Sequence, residues 1–156
     1  MDAKNSPKNV LVLGATGYQG NHVARLLLKK GHKVTALTRN PNNIHAQQLE
    51  KSGATVVQGN LTDRSSLENA MQGRDAVFAM TTPLEKGIEE EIKQGKTIVD
   101  AAKATQCYVV FSSVASANKN TGVPHFESKG TIEQYIIKSG IQCAIMAPVY
   151  FMENAC

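Results

Sequence analysis

The feature that most constrains this chain is a regular alternation of short apolar runs with segments whose apolar residues recur at helical spacing. The first run, 10–13, is continuously apolar, as expected of a strand buried on both faces of a sheet. Strands that alternate with helices are joined by right-handed crossovers and therefore pair in parallel. The pattern predicts an α/β fold of three layers, α/β/α, with a doubly wound parallel sheet of about six strands in the order 3-2-1-4-5-6.

The predicted elements fill nearly the whole chain, and 156 residues suit a single domain. The predicted strands cover 10–13, 33–37, 55–58, 76–80, 108–111 and 141–146. After the first strand a helix is predicted that ends at Gly31. Further helices are predicted over 44–52, 63–73, 85–105 and 126–138, and Asp63 is the predicted cap of the helix over 63–73. The residues expected to face inward from the later helices are Leu67, Ala70, Met71, Ile88, Ile92, Val99, Ala102, Ile132, Tyr135 and Ile136.

Composition narrows the functional classes. No apolar run is long enough to cross a bilayer, and the polar N-terminus does not resemble a secretory signal. Three cysteines, Cys107, Cys143 and Cys156, lack metal-ligand spacing and suit reduced thiols, so we expect no metal site and a cytoplasmic protein, with nuclear entry open to it. The net charge of +4 is dispersed, so we expect neither direct nucleic-acid binding nor membrane binding.

A glycine-rich loop, Gly14-Ala15-Thr16-Gly17-Tyr18-Gln19-Gly20, follows the first predicted strand. Glycines permit a tight turn and close approach of a pyrophosphate, and the N-terminus of the next helix attracts that anion. A strand–turn–helix joint without a ligand is the alternative. The position at the first strand–helix junction favours a dinucleotide site in a Rossmann-type domain, although the spacing departs from the commoner Gly-x-Gly-x-x-Gly.

Thr38-Arg39-Asn40 follows the second predicted strand, where sites that prefer NAD place an acidic residue against the ribose 2′-hydroxyl. Arg39 can instead form charge-assisted contacts with a 2′-phosphate. A merely solvated surface arginine is the alternative. The position favours NADP(H) over NAD(H).

Several segments together resemble the NmrA-like branch of the atypical short-chain dehydrogenases/reductases. The likeness is carried by 14–20, by the segments 37–41 (Leu-Thr-Arg-Asn-Pro) and 125–129 (His-Phe-Glu-Ser-Lys), by 148–154 (Pro-Val-Tyr-Phe-Met-Glu-Asn), and by the predicted helical stretch 90–95. The resemblance implies a Rossmann core that binds NADP, with redox sensing in some members and quinone or enone reduction in others. The residues it places at the cofactor are Gly14, Thr16, Gly17, Tyr18, Gln19, Gly20, Arg39, Asn60, Leu61, Thr81, Thr82 and Lys129.

The main departure from the resemblance concerns proton transfer. Active short-chain dehydrogenases use Tyr-x-x-x-Lys, and here His125 stands at the tyrosine position while Lys129 remains. His125 can exchange protons near neutral pH, so His125 and Lys129 are the candidate catalytic pair. A histidine that orders the loop or binds cofactor without chemistry is the alternative, which we favour. Ser112 and Ser113 end the fifth strand, where the superfamily often keeps a hydroxyl, with loop capping as the competing account.

Length is the other departure, because the resembled proteins continue into a smaller C-terminal lobe that closes the substrate cleft. We expect residues 1–156 to form the NAD(P)-binding domain alone, either as a fragment or as a protein without that lobe. Two functions follow as hypotheses. The first is an NADP(H)-binding redox sensor or regulator that acts through a protein partner. The second is an NADPH-dependent reductase of a quinone or small carbonyl compound.

Overall fold

The computed structural model describes residues 6–83, 86–117, 119 and 121–149. Cys156, the end of the 148–154 segment and the predicted helix start at Glu85 lie outside these residues. The strands are β1 (Asn9–Val12), β2 (Lys33–Thr38), β3 (Thr55–Gln58), β4 (Ala76–Met80), β5 (Tyr108–Ser112) and β6 (Cys143–Met146). The helices are α1 (Tyr18–Lys29), α2 (Ile44–Lys51), α3 (Arg64–Met71), α4 (Ile88–Thr105) and α5 (Pro124–Ser139).

The strands form one sheet in the order β3-β2-β1-β4-β5-β6, which confirms the predicted doubly wound topology. All five pairings are parallel. β1 is central, and its Val10 pairs with Val34 of β2 on one side and with Ala76 of β4 on the other. The connections leave β1 and β4 in opposite directions, and such a switch opens a crevice at the carboxyl ends of the strands.

Side chains alternate between the two faces of the sheet, so successive residues of β1 enter different cores. Leu11 belongs to the core beneath α3, α4 and α5, whereas Val12 belongs to the core beneath α1 and α2. These two cores make the three layers that the sequence predicts. Leu26 follows the apolar pattern of α1 yet is 55% exposed, because α1 turns Gly20 and Ala24 toward the sheet instead.

Element boundaries differ from the predictions mainly around β6. The predicted strand begins at Ile141, but β6 begins at Cys143, because Gly140 ends α5 in a left-handed conformation with φ 70° and the next two residues complete the turn. α5 begins at Pro124, which suits the first turn of a helix. The predicted cap of α3 is present, because the Asp63 carboxylate accepts a hydrogen bond from the Ser66 N–H at 3.2 Å.

Candidate functional site

The glycine-rich loop folds back on itself between β1 and α1. Gly14 adopts a left-handed conformation with φ 66°, and its carbonyl accepts a hydrogen bond from the Gly17 N–H at 3.0 Å. A Cβ added at Gly20 would lie 2.2 Å from the Gly14 carbonyl oxygen, far inside contact distance. Gly14 therefore makes the turn and Gly20 permits the helix to pack against it, as the sequence predicts for the two ends of this loop.

The N-terminus of α1 is open to a ligand in a way that the next two helices are not. Asn43 and Asp63 accept hydrogen bonds from backbone N–H groups at the starts of α2 and α3. Gly17 occupies the equivalent position on α1, and within the described residues no side chain caps that helix. The first turn of α1 also contains no acidic residue. Its N–H groups and partial positive charge thus suit an anion.

A cleft of about 370 Å³ runs along the carboxyl ends of β1, β2, β3 and β4. It brings together most of the predicted cofactor residues, which are Gly14, Thr16, Gly17, Arg39, Asn60, Leu61, Thr81 and Thr82. Tyr18 and Gly20 do not line it: the Tyr18 side chain is 83% exposed, and Gly20 is buried in the packing of α1. Gln19 and Lys129 line a second cavity.

At the β2 end of the cleft, Arg39 is exposed and its carbonyl accepts a hydrogen bond from Gln58 Nε2 at 3.4 Å. Lys86 adds a second cation to the lining. The lining also includes one carboxylate, Glu90 of α4, which the sequence reasoning did not place there. Because the two cations outnumber this carboxylate, the charged side chains of the lining favour an anionic ligand.

The second cavity, of about 800 Å³, adjoins the cleft at the end of β4, since Met80, Thr81 and Thr82 line both. Its remaining walls come from the α1 start, from residues following β4, β5 and β6, and from α4 and α5. Most are apolar: Pro83, Ile88, Val114, Pro124, Phe126, Pro148 and Val149. The polar remainder consists of Gln19, Ser112, Ser113, His125 and Lys129.

A fully buried carboxylate, Glu91 of α4, lies behind the junction of the two spaces. Glu91 Oε1 accepts a hydrogen bond from Thr81 Oγ1 at 3.0 Å and pairs with Lys129 Nζ at 2.9 Å. Glu91 Oε2 accepts from Ser128 Oγ at 2.5 Å. Lys129 Nζ also donates to the Thr81 carbonyl at 2.5 Å and to Thr81 Oγ1 at 2.9 Å. This network, here called the Glu91 network, joins β4, α4 and α5.

Lys129 is 8% exposed, and its Nζ lies 5.3 Å from the centre of the Phe111 ring. Burial lowers the pKa of the Lys129 ammonium from its ordinary value, and the charge and hydrogen bond of Glu91 oppose that shift. Lys129 Nζ lies within 2.9 Å of three acceptor oxygens, two on Thr81 and one on Glu91. Lys129 is therefore held by the protein itself at the cavity wall.

His125 is exposed on the first turn of α5 and lines the same cavity as Lys129. Its ring packs edge-on against Phe126, with the centroids 4.4 Å apart. Ser112 accepts a hydrogen bond from Gln19 Nε2 at 2.8 Å, and the Ser113 hydroxyl donates to the Glu133 carboxylate. The sequence reasoning identified no such carboxylate partner for Ser113. This contact ties the end of β5 to α5.

Glu91 is the principal residue of the site that the sequence reasoning missed. The available signal was its place in the helical pattern, since Ile88, Gly95, Ile98 and Ala102 share its face of α4 at helical spacing. A carboxylate on an otherwise inward face indicates a buried cation nearby. Among the described residues, Lys129 provides that cation.

Cys107 and Cys143 are the free cysteines among the described residues. Burial raises the pKa of the Cys107 thiol to about 11, which makes it a poor nucleophile, and Cys143 is half-buried. Over the described ranges, no group of three or more His, Cys, Asp or Glu side chains is placed to hold a metal ion. In the same part of the chain, no helix combines the length and apolar character that a membrane span requires.

Comparison with known sequences gives a consistent assignment. The profile of the NmrA-like family matches residues 6–156. An NmrA-like family domain-containing protein of Dictyostelium discoideum is 36% identical over 157 residues, covering 92% of this chain and 52% of the relative. An NmrA-like family domain-containing oxidoreductase of Penicillium ochrochloron is 33% identical, covering 94% of this chain and 48% of the relative. The chain spans about half the length of these relatives.

Solved structures lead to the same fold. An NADPH-dependent quinone oxidoreductase of Escherichia coli, crystallised with NADPH, is 26% identical with a TM-score of 0.80, covering 93% of this chain and 50% of its own. NmrA, a negative transcriptional regulator, is 25% identical with a TM-score of 0.83, and the match covers 96% of this chain and 48% of the NmrA chain. NmrA has also been crystallised with NADP.

Proposed function

The chain belongs to the NmrA-like family, and on that premise we propose that it binds NADP(H) in the cleft along the carboxyl ends of β1 to β4. The observation that carries the proposal is the convergence of eight predicted cofactor residues on that one cleft. Two structural neighbours were crystallised with NADPH or NADP. When bound, the reduced nicotinamide would supply a hydride.

The residues present fit a dinucleotide. At the β1–α1 loop, Gly14 makes the turn and Gly17 leaves room for a pyrophosphate beside the uncapped start of α1. Arg39 and Lys86 would hold the 2′-phosphate end, and Asn60 with Leu61 would border the adenine. Thr81, Thr82 and Lys129 would hold the ribose nearest the second cavity.

Arg39 gives the first test of this assignment. We expect Arg39→Ala to weaken NADPH binding on the order of tenfold or more while changing NADH affinity little, because a charge-assisted hydrogen bond is worth about 1.5–3 kcal/mol. Calorimetric titration of both cofactors measures the difference. Arg64→Ala is a matched control, since Arg64 is an exposed arginine paired with Glu68 away from the cleft. Equal weakening of both cofactors by Arg39→Ala would refute its assignment to the 2′-phosphate.

The proposed output of cofactor binding is regulatory: occupancy or redox state of NADP(H) would alter a surface that a protein partner reads. The support is the state of the candidate catalytic pair. The Lys129 ammonium is engaged by Thr81 and Glu91, and His125 packs on Phe126. The likeness to NmrA, a transcriptional regulator, agrees with this output.

A reductase of a quinone or small carbonyl compound is the second candidate, and the cavity of about 800 Å³ favours it. That cavity is largely apolar, adjoins the cleft at Thr81 and Thr82, and has the size of a small-molecule site. In this reading the acceptor would lie in the cavity, and His125 or a water would deliver the proton.

NADPH oxidation across a panel of quinones and aldehydes separates the two candidates. For a regulator we expect NADPH binding without steady oxidation above background, and little change in affinity for His125→Ala. The same absorbance assay in single-turnover mode removes any limit set by product release. Rapid oxidation by the unmodified chain, lost specifically in His125→Ala, would replace the regulatory proposal with the reductase.

A further inference from the structure

The Glu91 network contains a buried charge that cofactor binding by the cleft does not itself require. Glu91 is fully buried on α4, a helix with three acidic residues in its first turn, of which Glu89 is exposed. Burying an ionised carboxylate carries a desolvation cost that only well-placed partners offset. Its two oxygens are satisfied by Thr81, Lys129 and Ser128, which come from the end of β4 and from α5.

We propose that Glu91 is a positioning residue, whose carboxylate keeps Lys129 ionised and seated with Thr81 at the junction of the cleft and the second cavity. The inference rests on the proposed NADP(H) site, because Lys129 and Thr81 are assigned there to the ribose nearest the cavity. Thr81 reaches the cleft and the cavity while donating to Glu91. Glu91 thus acts on the ligand through Thr81 and Lys129, without lining either space.

Within the part of the chain that the structure describes, Glu91 is the counterion of Lys129. From β4 it meets Thr81, and from β5 the Phe111 ring, neither of which carries charge near neutral pH. Its own helix places His125 one turn before it and Glu133 one turn after, and the Glu133 carboxylate accepts from Ser113. Glu91 is the charged group that raises the Lys129 pKa against the effect of burial.

Replacing Glu91 with glutamine preserves its shape and an acceptor oxygen while removing its charge. The pKa of Lys129, already lowered by burial, then falls further because the opposing contribution of Glu91 is lost. The ammonium is consequently lost at a lower pH in Glu91→Gln than in the unmodified chain. NADPH affinity should therefore fall as pH rises through that lower value, with a loss on the order of tenfold on its alkaline side and a much smaller one on its acidic side.

Two measurements test the proposal with Glu89→Gln as the control, which removes the same charge from an exposed position on the same helix. The first is the pH titration of the Lys129 carbon-13 ε resonance in cofactor-free protein, assigned with Lys129→Arg. The second is NADPH affinity against pH. We expect Glu91→Gln to lower the Lys129 titration midpoint and to impose the pH-dependent loss of affinity, and Glu89→Gln to do neither.

An unchanged Lys129 midpoint in Glu91→Gln would overturn the inference, as would a loss of affinity that is the same at every pH, which is the mark of a purely structural contact. Failure of the unmodified chain to bind NADPH would overturn the proposed cofactor instead. The cofactor-free titration still decides whether Glu91 keeps Lys129 ionised. Should Glu91→Gln fail to fold, Glu91→Asp, whose shorter side chain lengthens the ion pair with Lys129, is expected to lower the Lys129 midpoint, and an unchanged midpoint there would also contradict the proposal.

Discussion

Gly17→Val is expected to abolish NADPH binding at accessible concentrations while leaving the fold intact. Among the described residues, a Cβ at Gly17 would meet the Gly14 carbonyl oxygen alone, at 3.4 Å, which is ordinary contact. Its φ of −91° and ψ of 175° are extended values that valine adopts readily. The branched side chain would instead project where a pyrophosphate must approach the backbone. We expect at least a hundredfold loss of affinity, equivalent to about 2.7 kcal/mol.

The contrast with Gly20→Ala makes this result specific. A methyl group at Gly20 collides with the Gly14 backbone, so that variant should lose stability as well as cofactor affinity. Circular dichroism melts and calorimetric titration of both variants separate the two effects. A folded Gly17→Val protein that binds NADPH with unchanged affinity would remove the glycine-rich loop from the cofactor site.

The second large effect is expected for Lys129→Met, which leaves the Glu91 carboxylate buried without its cation. Removing one partner of a buried ion pair costs roughly 3–5 kcal/mol of unfolding free energy. Glu91 is fully buried and Lys129 is 8% exposed, so solvent screening gives little relief. Urea unfolding at neutral pH measures the loss, and any folded Lys129→Met protein should also bind NADPH more weakly.

The double variant Glu91→Gln/Lys129→Met tests the origin of that cost. With the carboxylate gone, no unpaired charge remains buried, so most of the lost stability should return even though the lysine is still absent. NADPH affinity should not return with it. A double variant as unstable as Lys129→Met would mean that the packing of the lysine stem, not the stranded charge, dominates the loss.

The topology of this fold could be predicted from the sequence because it depends on local periodicity. Runs such as 76–80 coincide with a strand as predicted, and strict alternation with helices leaves few parallel arrangements. The start of β6 could not be placed as well. Ile141 belongs to the apolar run, but it lies in the connection between the left-handed end of α5 at Gly140 and the start of β6 at Cys143. The spacing of apolar residues does not indicate where such a turn ends and the strand begins.

The candidate site likewise has a part that could be predicted from the sequence and a part that could not. Residues that follow strands, such as Gly17, Arg39 and Thr81, could be placed together because the carboxyl ends of parallel strands meet at one edge. The Glu91 network could not be predicted, because its contacts join residues 10 and 37 positions apart where the end of β4 and helix α5 meet α4. Tyr18 was assigned to the cofactor by resemblance, yet its side chain is exposed outside the cleft.

We propose above all that the cleft at the ends of β1 to β4 is an NADP(H) site. Calorimetric titration of the unmodified chain with NADPH, NADP⁺ and NADH tests it most directly. We expect saturable binding of one NADPH per chain and binding of NADP⁺ as well. NADH should bind more weakly, on the order of tenfold or more, because it lacks the 2′-phosphate contact. No saturable binding of NADPH, or equal affinity for NADPH and NADH, would contradict it.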